Sequence, residues 1–149
     1  MKSKIAFLIM ALTFSGSVAA KTCTLTGASI AFGAYDSTVN SNVDAIGMVS
    51  LTCDGRFRAV LSMDVGNGPG AAYSSGRVMT GSSGGVMKYN LYANASRTQV
   101  LGDGTGGSFT LGIDSVNSYT QPIWGRIQAG QYAVYAGVYS DLLVVTVTY

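Results

Sequence analysis

Apolar and polar positions alternate in short runs along this chain, and no long stretch carries the i, i+3, i+4 apolar spacing of an amphipathic helix. The runs are rich in Val, Ile, Thr and Tyr. They predict strands at Ser29–Ala34, Met48–Thr52, Ala59–Val65, Met87–Ala93, Tyr119–Ile127, Gln131–Tyr139 and Leu142–Tyr149. Turn residues cluster between them, at Gly66-Asn67-Gly68-Pro69-Gly70, Gly81-Ser82-Ser83-Gly84-Gly85 and Gly102-Asp103-Gly104-Thr105-Gly106-Gly107. Short strands at this spacing predict an all-β antiparallel β-sandwich. The glycines follow no period, so neither collagen nor a repeat solenoid fits.

The last run places Leu143, Val145, Val147 and Tyr149 on one face. Leu142 and Val144 begin the other face, which Thr146 and Thr148 continue as a more polar edge. Such a strand is expected inside a sandwich. In an immunoglobulin-like sandwich the penultimate strand F pairs with a final strand G. If Leu142–Tyr149 is F, nothing after it supplies G; if it is itself the last strand, the sandwich is complete. The pattern alone leaves both readings open.

Met1 to Ala20 has the form of a secretory signal peptide: Lys2 and Lys4, a mostly apolar Ile5–Phe14, then small residues at Val18-Ala19-Ala20. The apolar run of about ten residues is short of the roughly 20 that span a bilayer. Export changes the reading of the two cysteines. An even pair in an oxidising compartment predicts a Cys23–Cys53 disulfide, and a two-thiol metal site would lack further His or Cys ligands.

Composition narrows function by exclusion. The chain has 149 residues, 9 Lys and Arg against 7 acids, and no His. Removing Lys2 and Lys4 with the leader brings the net charge near zero, which points away from a nucleic-acid partner. All seven acids are Asp. Lacking His, the chain lacks the commonest general base and metal ligand, so no catalytic residue, metal or cofactor is expected. The spacing Gly102-x-Gly104-x-x-Gly107 matches a phosphate loop by count, but a strand-like run, Phe109–Ile113, follows where a helix is needed. Asp36, Asp54, Asp103 and Asp141 sit beside turn residues and are expected to bond local backbone rather than calcium or a sugar. Trp124, Tyr89, Tyr92 and Tyr139 lie in alternating runs and are expected in the core or a groove. Ser and Lys show no spacing that would make a nucleophile pair, and Lys88 reads as a solvated edge charge.

From Cys23 to Tyr149 the sequence carries an ordered set of short motifs. Cys23 is followed by Phe32-Gly33-x-Tyr35-Asp36, Cys53, Gly66-Asn67-Gly68 and Arg77-x-Met79. Met87-Lys88-Tyr89-Asn90-Leu91-Tyr92, Gly102-Asp103-Gly104 and Trp124-Gly125-Arg126 come next. Gly137-x-Tyr139-Ser140-Asp141 and a terminal Val-Thr-Val-Thr-Tyr complete the set. No one motif is specific, but in this order the set resembles the spore coat protein U family, which includes subunits of archaic, Csu-type chaperone–usher pili. The resemblance implies an immunoglobulin-like sandwich lacking its final strand, with residues 21–149 as the domain. It implies a periplasmic chaperone, an outer-membrane usher and neighbouring pilus subunits as partners, each chain-to-chain contact made by strand addition. Passage through the periplasm to the cell surface follows, with the membrane met only in transit. The face Leu143, Val145, Val147 and Tyr149 is then the expected wall of a partner-strand groove.

One departure from the family pattern has consequences. Subunits of this kind carry an alternating donor segment before the first Cys, whereas cleavage after Ala20 leaves only Lys21-Thr22. Two residues cannot fill a slot for a strand of about five or six. The subunit would then accept a strand without donating one, which implies a fibre terminus, although tip adhesins of this kind resemble two joined domains. Cleavage near Ala11 would instead expose the alternating Leu12-x-Phe14-x-Gly16-x-Val18-x-Ala20. The rival from another class is a self-contained secreted coat or binding protein with a complete sandwich; a secreted hydrolase ranks below both.

Overall fold

Two long strands carry the architecture. In the computed structural model, which describes residues 21–132 and 134–149, β2 (Val43–Met63) and β5 (Leu111–Ile127) pair antiparallel along nearly their whole length. Around them lie β1 (Cys23–Ser29), β3 (Arg77–Gly81), β4 (Val86–Tyr92), β6 (Tyr139–Ser140) and β7 (Val145–Thr148). Every pairing is antiparallel, in the order β1-β2-β5-β4-β3-β6, with β7 also on β2. The described residues contain no helix. The predicted leader, Met1 to Ala20, lies outside the described residues.

Alternation explains which face is buried. In β2 the odd positions Val49, Leu51, Cys53, Phe57, Ala59, Leu61 and Met63 are buried, while the even positions are exposed or half-exposed. Between Thr52 and Arg56 the strand advances four residues while β5 advances two. The inserted pair is even in number, so the odd positions stay inside on both sides of the bulge. Gly55 supplies a φ of 87° there and Asn117 one of 67° on the opposite strand. Bulges bend and twist a ladder, so one continuous sheet curls over a single core and forms the two layers of an immunoglobulin-like sandwich. The β1 edge is fastened by the expected disulfide, since Cys23 and Cys53 are opposed in the ladder and joined.

Several predicted elements shift. Met48–Thr52 and Ala59–Val65 are parts of one strand, because Asp54-Gly55 forms a bulge and not a turn. Tyr119–Ile127 and the Phe109–Ile113 run likewise merge into β5. The first strand is Cys23–Ser29, and the predicted Ser29–Ala34 is mostly an irregular segment that follows it. Gln131–Tyr139 is corrected as well: its described residues before Tyr139 form turns and bends. There the Gln131 side-chain amide takes the place of a strand, accepting from Lys88 N at 2.6 Å and donating to Lys88 O at 2.8 Å.

Candidate functional site: an open cleft between two strand edges

Three strands, β1, β6 and β7, each pair with one neighbour only among the described residues. Between the chain that continues β1 (residues 28–35) and the chain around β6 (residues 134–145) runs a cleft of about 860 Å³. Its lining is largely apolar. The core supplies the floor through Met63, Met79, Met87, Tyr89, Leu91 and Ile123, each less than a tenth exposed.

The first wall is set by missing side chains beneath it. Gly47 and Gly125 sit on the inner face of the β2–β5 pair. A Cβ on Gly125 would come within 2.6 Å of the Ile30 and Phe32 side chains, and one on Gly47 within 2.6 Å of Ile30 Cβ. The segment after β1 therefore lies directly on the sheet, which only bare backbone permits. Phe32 then meets the Tyr89 ring edge-on, with centroids 5.6 Å apart.

Tyr89 also fixes the second wall. Its hydroxyl donates to Asp141 Oδ2 at 2.8 Å, and Asp141 Oδ1 accepts from Asn67 N at 3.0 Å. One tyrosine thus touches one wall with its ring and ties the other with its hydroxyl. Burial, then the Asp141 bond, pushes the Tyr89 phenol well above the ordinary tyrosine range. The Gly66-Asn67-Gly68 loop fits between these parts: Gly66 has φ 86°, and a Cβ there would collide with the Asp141 carboxylate. A Cβ on Gly68 would collide with the backbone of Val78.

Behind the floor, Arg77 is completely buried. It donates to Asp64 O at 2.8 and 3.1 Å and to Leu101 O at 2.7 Å, and its guanidinium carbon lies 5.3 Å from the centre of the Tyr73 ring. Desolvation draws its pKa below the usual arginine value. No carboxylate ion-pairs with it among the described residues. It works as a fork that gathers the end of β2, the Leu101 backbone and the Asn90 side chain (3.4 Å) around β3.

The expected groove face divides. Leu143 and Val145 line the cleft. Val147 is half-buried against the core further along, and Tyr149 is 61% exposed beside Lys21, Arg56 and Arg58. Sequence reasoning missed the opposite wall, Ile30 to Tyr35, and the methionine floor. The Phe32-Gly33-x-Tyr35-Asp36 motif was the available signal for the former. Asp36 and Asp103 do bond their own turns, each accepting from the N–H and hydroxyl of the Thr two residues on. Asp141 does not: its partners are 52 and 74 residues away. No group of three His, Cys, Asp or Glu able to hold a metal occurs among the described residues.

Comparison with known proteins places this architecture. The family described as Spore Coat Protein U domain matches residues 9–146. No curated protein matches the chain. A solved structure that superposes with a TM-score of 0.61 at 18% identity is the CsuC–CsuE chaperone–tip adhesion subunit pre-assembly complex from archaic chaperone–usher Csu pili of Acinetobacter baumannii. The match covers 87% of this chain and 40% of that one, so the present chain spans well under half the length of its neighbour. At that identity the likeness is one of fold.

Proposed function

The chain belongs to the Spore Coat Protein U domain family, and on that premise we propose that it is a structural or adhesive subunit of a surface fibre assembled by the chaperone–usher route. Its cleft receives a β-strand from another polypeptide: first from a periplasmic chaperone, then, at an outer-membrane usher, from a neighbouring subunit. The carrying observation is the cleft itself, apolar, floored by core residues and walled by the chain that leaves β1 and the chain that runs through β6 towards β7, all three strands with a single partner among the described residues. An extended segment with alternating apolar residues satisfies both features, since its backbone pairs with an edge while every second side chain enters the floor. Four or five such side chains bury on the order of 6–15 kcal/mol of apolar transfer energy, at roughly 1.5–3 each. That is comparable with the whole stability of an ordinary domain, about 5–15 kcal/mol. The role is one of architecture rather than catalysis.

Residues 21–149 are the working domain in this reading, and Met1 to Ala20 the export signal that is cleaved off. The finer reading, a subunit at a fibre terminus that accepts without donating, follows from cleavage after Ala20. N-terminal sequencing of the exported protein tests it: a start at Lys21 supports a terminal place, and a start near Leu12 gives the subunit a donor segment of its own. Co-expression with a cognate periplasmic chaperone tests the main proposal. Soluble yield should rise sharply and the two proteins should co-purify. An equal yield of stably folded monomer without any partner, indifferent to added strand peptides, would instead support a self-contained coat or binding protein.

A further inference from the structure

All four methionines among the described residues, Met48, Met63, Met79 and Met87, line the cleft. Three of them form its floor and are 4–7% exposed, and Met79 and Met87 are directly opposed across β3 and β4. The rest of the buried core is Leu, Ile, Val, Phe, Tyr, Ala59 and the bridged Cys53, so the thioethers are concentrated at one place. Methionine is unbranched, with three rotatable bonds and a polarisable sulfur, and it reshapes at low cost around whatever packs on it. Branched side chains hold a fixed relief. A floor intended for one strand would gain by fixed relief, because fixed shape rejects a wrong side chain.

We propose that the methionine floor makes this cleft tolerant of strand sequence, so that it accepts strands of unlike side-chain volume, and that Met63, Met79 and Met87 are the residues that set this breadth. The inference rests on the strand-accepting reading above and adds the kind of partner: several alternating apolar strands rather than one. It fits a site that hands one strand over for another, because two occupants of different sequence must use the same floor.

The test uses the exported protein and three synthetic peptides of eleven residues in which Thr alternates with Val, with Leu or with Phe. Binding is read by fluorescence anisotropy for the wild type and for M63L/M79L/M87L. These swaps nearly conserve volume and cost under about 1.5 kcal/mol each, so the fold should persist. The wild type should bind all three peptides, with affinity rising steadily with the apolar area each buries. The leucine variant should break that order, favouring one volume and binding the others about tenfold or more weaker than the wild type does, the scale on which a fixed apolar pocket senses single methylenes. Should the triple variant not fold, each single Met→Leu change should narrow the range in part. Equal breadth in wild type and variants, or a wild type as selective as the variants, overturns the proposal. Failure of the wild type to bind any peptide overturns the strand-accepting reading itself, and that result is distinct from the other two.

Discussion

Tyr89 concentrates much of the cleft's geometry in one side chain, and its removal is correspondingly informative. Tyr89→Phe keeps the ring contact to Phe32 but deletes the bond to Asp141. It should lower stability by about 1–2 kcal/mol in urea denaturation, the usual range for a lost buried hydrogen bond. The pH dependence has a definite sign. The folded-state pKa of this phenol is raised, so its contribution is complete below the unfolded tyrosine pKa of about 10 and is lost as pH rises beyond it. Stability should therefore fall above pH 10, less steeply in Tyr89→Phe; Tyr73, also raised mainly by burial, keeps some of the slope. The glycines beneath the first wall give a second comparison. Gly47→Ala drives a methyl into backbone at Ser29, whereas Gly125→Ala meets the ends of the Ile30 and Phe32 side chains, which can turn aside. Overpacking costs about 1–3 kcal/mol. Gly47→Ala should reach the upper end in thermal melts and Gly125→Ala the lower. Local chemistry was legible in the sequence at Asp36 and Asp103, whose partners sit two residues away. It was not legible at Asp141, whose partners become neighbours only once the sheet has closed.

At the scale of elements, period-two alternation marks which residues of a strand face inward: Val145 and Val147 of β7 are half-buried. The strand covers only Val145–Thr148 of the predicted Leu142–Tyr149, however, and Tyr149 is exposed. Alternation fails where an element is interrupted without ending. Asp54-Gly55 has the composition of a turn, but the β2–β5 ladder absorbs it as a bulge, so two predicted strands are one. β3 escaped notice because Arg77 stands in it, and a cation in a short run reads as exposed until its carbonyl partners are visible. Gln131–Tyr139 misled in the opposite direction: its Tyr and Val residues have strand propensity, but a side-chain amide occupies the ladder position instead. The disulfide was fully legible, because export and an even cysteine count suffice. It closes a separation of 30 residues. Replacing Cys23 and Cys53 together by Ser should cost about 3–4 kcal/mol by loop entropy, measurable as a lower urea midpoint.

For the whole molecule, the fold class could be inferred from the spacing of strands, while the cleft could not be placed by pattern alone. A terminal strand with an apolar face is consistent with a finished sandwich and with an unfinished one. The three-dimensional arrangement adds the apolar cleft itself, with a core floor between the chain that leaves β1 and the chain around β6. Stability should therefore depend on occupancy. A bound strand peptide at a hundred times its dissociation constant stabilises by about 2.7 kcal/mol. At about 2–4 °C per kcal/mol for a domain of this size, the melting temperature should rise by about 5–10 °C, and a scrambled peptide with its apolar residues consecutive should give no such rise.

The cysteine bridge has one more consequence, a mechanical one. It anchors the first residue of β1 to the neighbouring strand, on the edge that continues into the cleft wall. Tension on a lodged strand would load that edge, and hydrogen bonds sheared one after another would let it unzip from its end. A covalent rivet at Cys23 stops the unzipping there, so the oxidised domain should yield at higher force than the reduced one when stretched through its occupant.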